Sequence, residues 1–150
     1  AGAPLDLGLL ARRVVADQAP GAIDRGQVLG LDAQDGCLVQ GSDALLAVLL
    51  RNLVDNALRY SPAGAEVRVT VQRHGGQVLL QVDDSGPGLA DADLARLGER
   101  FFRVLGSGQD GSGLGWSIVR RIAQAHGADV TAARSATLGG LSVRVAWPAA

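Results

Sequence analysis

Five glycines fall within residues 106 to 115, GSGQDGSGLG, and an amphipathic pattern, WSIVRRIAQAHG, follows at once. Glycine lets a backbone approach a ligand closely and take positive φ, while the first N–H groups of a helix have no partner inside it. A loop of this kind at a helix start suits an anion, because the free N–H groups and the helix dipole both favour negative charge. A flexible linker before an ordinary packed helix would carry the same glycines. A second set lies in DALLAVLLRNLVDNALRY, residues 43 to 60, where Asn52, Asn56 and Arg59 fall at i, i+4 and i+7 and share one stripe. Asparagine is a poor helix former, so two on one stripe are a cost unless something uses them. An amide oxygen suits Mg²⁺, which takes few protein ligands beside substrate phosphates; a solvated polar face is the plain alternative. The third set is VDDSGPGLA, with Asp84 at a strand end and Gly86 and Gly88 freeing the backbone after it. A fixed carboxylate there would accept a hydrogen bond from the amino group of a planar base, whereas an isolated loop of this composition reads as a turn with an exposed Asp.

The composition removes several rivals. All 14 basic residues are Arg, and without Lys there is no Walker A loop, no strand lysine of a eukaryotic-type kinase and no Schiff-base nucleophile. Two histidines, His74 and His126, and one cysteine, Cys37, supply metal clusters and histidine triads poorly. The 14 basic and 15 acidic residues leave a net charge of −1, which offers no footprint for nucleic acid or an anionic membrane surface. The segment GSGQDG at 106 to 111 spells the dinucleotide-binding G-x-G-x-x-G. The helix pattern begins after its third glycine, however, and Asp129 opens a strand instead of closing one.

These residues need elements to hold them. DLGLLARRVVADQA, residues 6 to 19, reads as a first helix with Asp6 as N-cap and Pro20 beyond its end. QVLGLD and CLVQ are strand candidates joined by the turn-rich AQDG, the pattern of a hairpin. The helix of residues 43 to 60 is capped by Ser42 or Asp43 and stopped by Ser61-Pro62. AEVRVTVQR and QVLLQVDD alternate around HGG as a second hairpin, and ADVTAARSA with LSVRVAW closes the chain as a strand pair around Gly139-Gly140. Residues 84 to 112 lose regular patterning apart from a helical piece near ADADLARLGER, as a long functional loop does. The order predicts one α/β domain over residues 1–150, a two-layer sandwich with a mixed sheet and its helices on one face. The absence of Met marks the sequence as a module of something larger.

In order along the chain, LLRNLVDNALRYSP, VDDSGPGL, ERFFRV and GSGLGWSIV resemble the N box, first glycine box, F box and second glycine box of bacterial sensor histidine kinases. Those proteins share the Bergerat ATP-binding fold with gyrase, Hsp90 and MutL; the F box favours the kinases, and the short lid resembles the quorum-sensing and polymyxin-resistance sensors. The resemblance implies ATP and Mg²⁺ as ligands. Asn56 would hold the metal, Asn52 would contact phosphate or metal-bound water, Arg59 would neutralise phosphate charge and Tyr60 would flank the nucleotide. Asp84 would bind the adenine amino group, and Gly86 and Gly88 would let the ATP lid leave its strand. Phe101 and Phe102 would anchor the lid, with Arg100 or Arg103 reaching the γ-phosphate. Gly111, Ser112, Gly113, Leu114 and Gly115 would form the phosphate cradle. Trp116 stands where the family has Leu or another smaller apolar residue, and core packing or a displaced lid hinge are its two readings.

The resemblance further implies γ-phosphoryl transfer to a histidine on a separate dimerisation domain, and through that domain to a response regulator. No such acceptor motif occurs here: His74 sits in a hairpin turn and His126 precedes a C′ glycine. The expectation is a monomeric catalytic half that binds Mg²⁺-ATP without phosphorylating itself, a cytoplasmic domain whose parent is an inner-membrane sensor. A non-catalytic nucleotide-binding or protein-interaction module is the alternative, and an ATPase of the gyrase or MutL sort a third.

Overall fold

Asp6 accepts a hydrogen bond from the Leu9 N–H at 3.2 Å, and the chain turns there from strand β1 (Ala3–Asp6) into helix α1 (Leu7–Asp24). The computed structural model describes residues 3–87 and 114–150. Along α1, Leu7, Leu10, Ala11 and Val14 bury the i, i+3, i+4, i+7 face. The sequence pattern predicts an end before Pro20; the helix instead continues to Asp24 through Pro20. The proline removes one ladder donor, but Ala22 is buried and its carbonyl accepts from the N–H groups of Arg25 and Gln27, which holds the last turn in place.

Strands β2 (Val28–Ala33) and β3 (Leu38–Gly41) follow, then helix α2 (Asp43–Arg59) with Ser42 Oγ capping the Leu45 N–H at 3.2 Å. Next come β4 (Glu66–His74) and β5 (Gln77–Asp84), helix α3 (Leu114–Ala125), β6 (Asp129–Arg134) and β7 (Leu141–Pro148). The main sheet runs β2-β4-β5-β7-β6, with β2 parallel to β4 and the other neighbours antiparallel. Alternation turns Val67, Val69 and Val71 of β4, and Val143, Val145 and Trp147 of β7, into the core. There α1 covers β2 and β4, α2 covers β4 and β5, and α3 covers β6. This is the predicted two-layer mixed sandwich, and Asp84 ends its central strand.

The expected hairpin of β2 with β3 does not form. Val28 of β2 pairs in parallel with Glu66 of β4, whereas Gly41 of β3 pairs with Ala3 of β1 in a separate two-stranded sheet. A period of two identifies a strand and its buried face but says nothing about its partner. Here both strands seat apolar side chains on one shared core, Val39 buried in it and Leu29 and Leu31 packed against it. The two later hairpins form as predicted.

Helices α2 and α3 run antiparallel, and His126 fastens one end. Its Nε2 accepts the Ser42 N–H at 3.1 Å and its Nδ1 lies 2.8 Å from the Ile122 carbonyl, so the proton sits on Nδ1. Gly127 follows with φ +67°, the C′ glycine expected from the sequence.

Candidate functional site

At the opposite end of that helix pair, α2 presents its two asparagines to the first turn of α3. A Cβ placed on Gly115 would stand 3.3 Å from Asn56 Nδ2 and 3.4 Å from Asn52 Oδ1. A side chain here would crowd both amides, and glycine lets the helix start lie against them without that shift. Asn52 Nδ2 donates to the Val48 carbonyl at 2.8 Å, one turn back, which turns its oxygen toward α3. Asn56 is 9% exposed, and its Nδ2 has no partner among the described residues. A buried amide donor costs free energy unless it is hydrogen-bonded.

The next wall is the end of β5. Asp84 is buried, and its Oδ1 accepts from the N–H groups of Gly86 and Leu141, both at 3.0 Å; Oδ2 takes no part in these bonds. Burial raises the Asp84 carboxyl above the ordinary aspartate value; the two backbone N–H groups pull against that rise and the neighbouring Asp83 adds to it. A side chain on Gly86 would crowd its neighbours, since its Cβ position lies 3.1 Å from Ser61 Oγ and 3.4 Å from the Tyr60 carbonyl.

Between these walls lies a pocket with apolar sides from Leu53, Ala57, Val82, Leu141 and Val143. Asn56, Tyr60, Asp84 and Trp116 complete its lining among the described residues. Its lining, apolar with a few convergent polar groups, has the chemical character of a small-molecule site. Tyr60 is the C-cap of α2 and gives its N–H to Asn56; burial raises its phenol above the usual range. Trp116 belongs to the core, 4% exposed, and its Nε1 has no partner among the described residues. Of its two sequence readings, the packed one describes this ring.

Arg59 takes a different place. Its guanidinium pairs with Asp55, one turn earlier, at 2.9 Å, and both side chains are about one third exposed. Gly88, Arg100, Phe101, Phe102, Arg103, Gly111, Ser112 and Gly113 lie outside the described residues, as does the helical piece expected near ADADLARLGER. Leu114 opens α3.

One contributor escaped the sequence analysis. Gly140 gives its N–H to the Asp84 carbonyl at 3.0 Å, and a Cβ there would run into Asp84 Oδ1 and the Asp84 carbonyl. The turn itself needs only Gly139, whose φ is +89°. A second glycine unexplained by the turn was the signal available in LGGL.

Known proteins resemble this chain in sequence and in architecture. Residues 41–150 match the family model of the histidine kinase-, DNA gyrase B-, and HSP90-like ATPases. Sensor protein QseC of Escherichia coli K12 is 48% identical over 107 residues, covering 71% of this chain and 23% of that protein. Sensor protein kinase PmrB of Pseudomonas aeruginosa is 38% identical over 146 residues, covering 97% of this chain and 30% of that protein. The chain thus spans less than a third of the length of these curated relatives. The solved structure of full-length ShkA in complex with AMPPNP superposes with a TM-score of 0.83 at 30% identity, covering 99% of this chain and 31% of that one. On the sequence match and the shared architecture together, the chain belongs to the histidine kinase-, DNA gyrase B-, and HSP90-like ATPase family, on its sensor histidine kinase branch.

Proposed function

We propose that this chain is the catalytic half of a sensor histidine kinase: it binds Mg²⁺-ATP and presents the γ-phosphoryl group to a histidine carried by another domain of its parent. The observation that carries the reading is the convergence on one pocket of Asp84 from β5, Asn56 and Tyr60 from α2 and Trp116 from α3, with Gly115 of α3 set against Asn56 and Asn52. Asp84 Oδ2 accepts the adenine amino group, while Oδ1 is held by Gly86 and Leu141 and cannot swing away. Tyr60 and the apolar walls flank the base.

The phosphates would lie toward the N-terminus of α3, by Gly111, Ser112, Gly113, Leu114 and Gly115, since the first N–H groups of a helix have no partner inside it and the helix dipole favours an anion there. Asn56 and Asn52 offer hard amide oxygens on this side, and the unpaired Asn56 amide fits a metal-linked phosphate group. Asn56 would hold Mg²⁺, which supplies charge neutralisation for the phosphates. The Arg59–Asp55 pair is about one third exposed, so solvent screens it and the guanidinium can exchange its carboxylate for a phosphate. Gly88 extends the lid exit begun at Gly86, Phe101 and Phe102 anchor the lid, and Arg100 or Arg103 reaches the γ-phosphate.

The protein's contribution is positioning and charge neutralisation, the greater part of what phosphoryl transfer requires. The acceptor comes from elsewhere, because His126 is committed to Ser42 and Ile122 and His74 ends a strand at the rim of a hairpin. Residues 1–150 act as one domain, with a histidine-bearing dimerisation domain of the same parent as immediate partner and a response regulator beyond it. The parent is an inner-membrane sensor that places this domain in the cytoplasm; among the described residues no helix is long and apolar enough to cross a membrane.

Calorimetric titration with ATP, ADP and NADH, with and without Mg²⁺, tests the reading. Saturable binding of the adenine mononucleotides that strengthens with Mg²⁺ is expected, followed by phosphohistidine when the parent's histidine domain is added. Binding with no transfer would leave a nucleotide-sensing module, and no binding by folded protein would end the kinase reading.

A further inference from the structure

Helix α2 ends without a glycine. Its C-cap, Tyr60, has φ −89° and ψ 1°, and the Leu58 carbonyl takes a long local bond from the Ser61 N–H, 3.3 Å, with a shorter one supplied by a distant group. That group comes from 31 residues earlier. Gln27, in the connection from α1 to β2, is 6% exposed, and its Nε2 donates to the Leu58 carbonyl at 2.7 Å and the Ser61 carbonyl at 2.8 Å. The surrounding backbone grips the same turn: the Gly64 N–H bonds the Gly26 carbonyl at 2.8 Å, and the Val28 N–H bonds the Ala65 carbonyl at 2.9 Å.

The two carbonyls held by Gln27 bracket Tyr60. Tyr60 lines the pocket, its N–H closes the helix onto Asn56, and its carbonyl together with Ser61 Oγ backs Gly86, whose N–H orients Asp84. We infer that Gln27 is a positioning residue of the nucleotide site: it touches no ligand but fixes the turn against which the base-binding carboxylate is set. The inference rests on the nucleotide reading above. A long amide buried in a loop is costly unless its hydrogen bonds are made, and here both donors are spent on one turn while Oε1 goes unpaired among the described residues.

The test measures Kd for ADP and for GDP on the wild-type chain and on Gln27→Met, which keeps the side chain's length and removes both donors. Loosening the Tyr60–Ser61 turn weakens ADP binding about tenfold, and the GDP-to-ADP ratio of Kd falls by a similar factor because base discrimination depends on Asp84. A purely structural role lowers the folded fraction and weakens both nucleotides equally, so an unchanged ratio overturns the inference. Val39→Ala, a buried truncation in β3 remote from the pocket, is the stability control and should leave the ratio alone. If Gln27→Met does not fold, Gln27→Ala admits water to the two carbonyls and should move the ratio the same way; a wild-type ratio there also overturns it. Failure of the wild-type chain to bind ADP would instead refute the nucleotide reading, and the inference with it.

Discussion

Substituting Gly140 by Ala strikes the Asp84 site through the backbone. The added methyl would run into Asp84 Oδ1 and the Asp84 carbonyl and come within 2.9 Å of the Gly86 nitrogen, three atoms with little freedom to give. To make room, β7 must draw back from β5 at this point, which breaks the Gly140 N–H bond to the Asp84 carbonyl and the Leu141 N–H bond to Oδ1. The first is an ordinary backbone bond worth about 0.5–1.5 kcal/mol net, and the second, to a carboxylate, about 1.5–3 kcal/mol. The expected loss of stability is therefore about 2–4.5 kcal/mol, and ADP affinity should fall by about 10- to 100-fold as the carboxylate loses its bearing. Gly139→Ala is the comparison: at φ +89° with nothing within 4 Å of its Cβ position, it carries only the left-handed backbone penalty, about 1–2 kcal/mol. Its ADP affinity should stay near wild type. Urea unfolding gives the stabilities and calorimetry the affinities. A Gly140→Ala protein with wild-type stability and ADP Kd within twofold of wild type would refute the close-approach reasoning.

Asp84→Asn should weaken ADP about 10- to 100-fold while leaving stability at neutral pH equal or higher, because it removes a buried charge that the fold disfavours. The pH dependence has a definite sign. Burial raises the carboxyl in the free protein and the nucleotide amino group requires its ionised form, so wild-type affinity should fall on acidification, starting above the ordinary aspartate range. The Asn variant should lose that dependence, and a wild-type affinity independent of acid would remove Asp84 from the base site. Gly115→Ala should leave the melting temperature unchanged or slightly raised, since Ala is the better helix former by up to about 1 kcal/mol, yet weaken Mg²⁺-ATP binding because its methyl crowds Asn52 and Asn56. Loss of stability with intact binding would contradict this. Asn56→Ala should reduce the gain in ATP affinity on adding Mg²⁺, measured by calorimetry; an unaltered Mg²⁺ response would reject Asn56 as the metal ligand.

The sequence by itself determined whatever depends on neighbours a few residues away. The Asp6 and Ser42 caps, the apolar faces of α1 and α2, the hairpin of β4 with β5 and the closing pair of β6 with β7 all follow from local periodicity and turn chemistry. The chemistry-bearing residues were legible for the same reason: polar residues and clustered glycines stand out against patterns that do not need them. Tertiary structure decided the partners. Whether β3 pairs with β2 or with β1, whether α1 runs past Pro20, and which distant carbonyls Gln27 would bond depend on burying one shared core, and no local pattern encodes that. The site itself is of the second kind. Asn52, Asn56, Asp84 and Gly115 were each visible in the sequence, but the antiparallel packing of α2 on α3 sets Gly115 against the asparagines, and the packing of α2 on β5 sets Asn56 beside the pocket that Asp84 lines. Gly140, read locally as half of a turn, proved to be the residue on which the Asp84 backbone rests, because close approach between strands is set by the sheet and not by the turn.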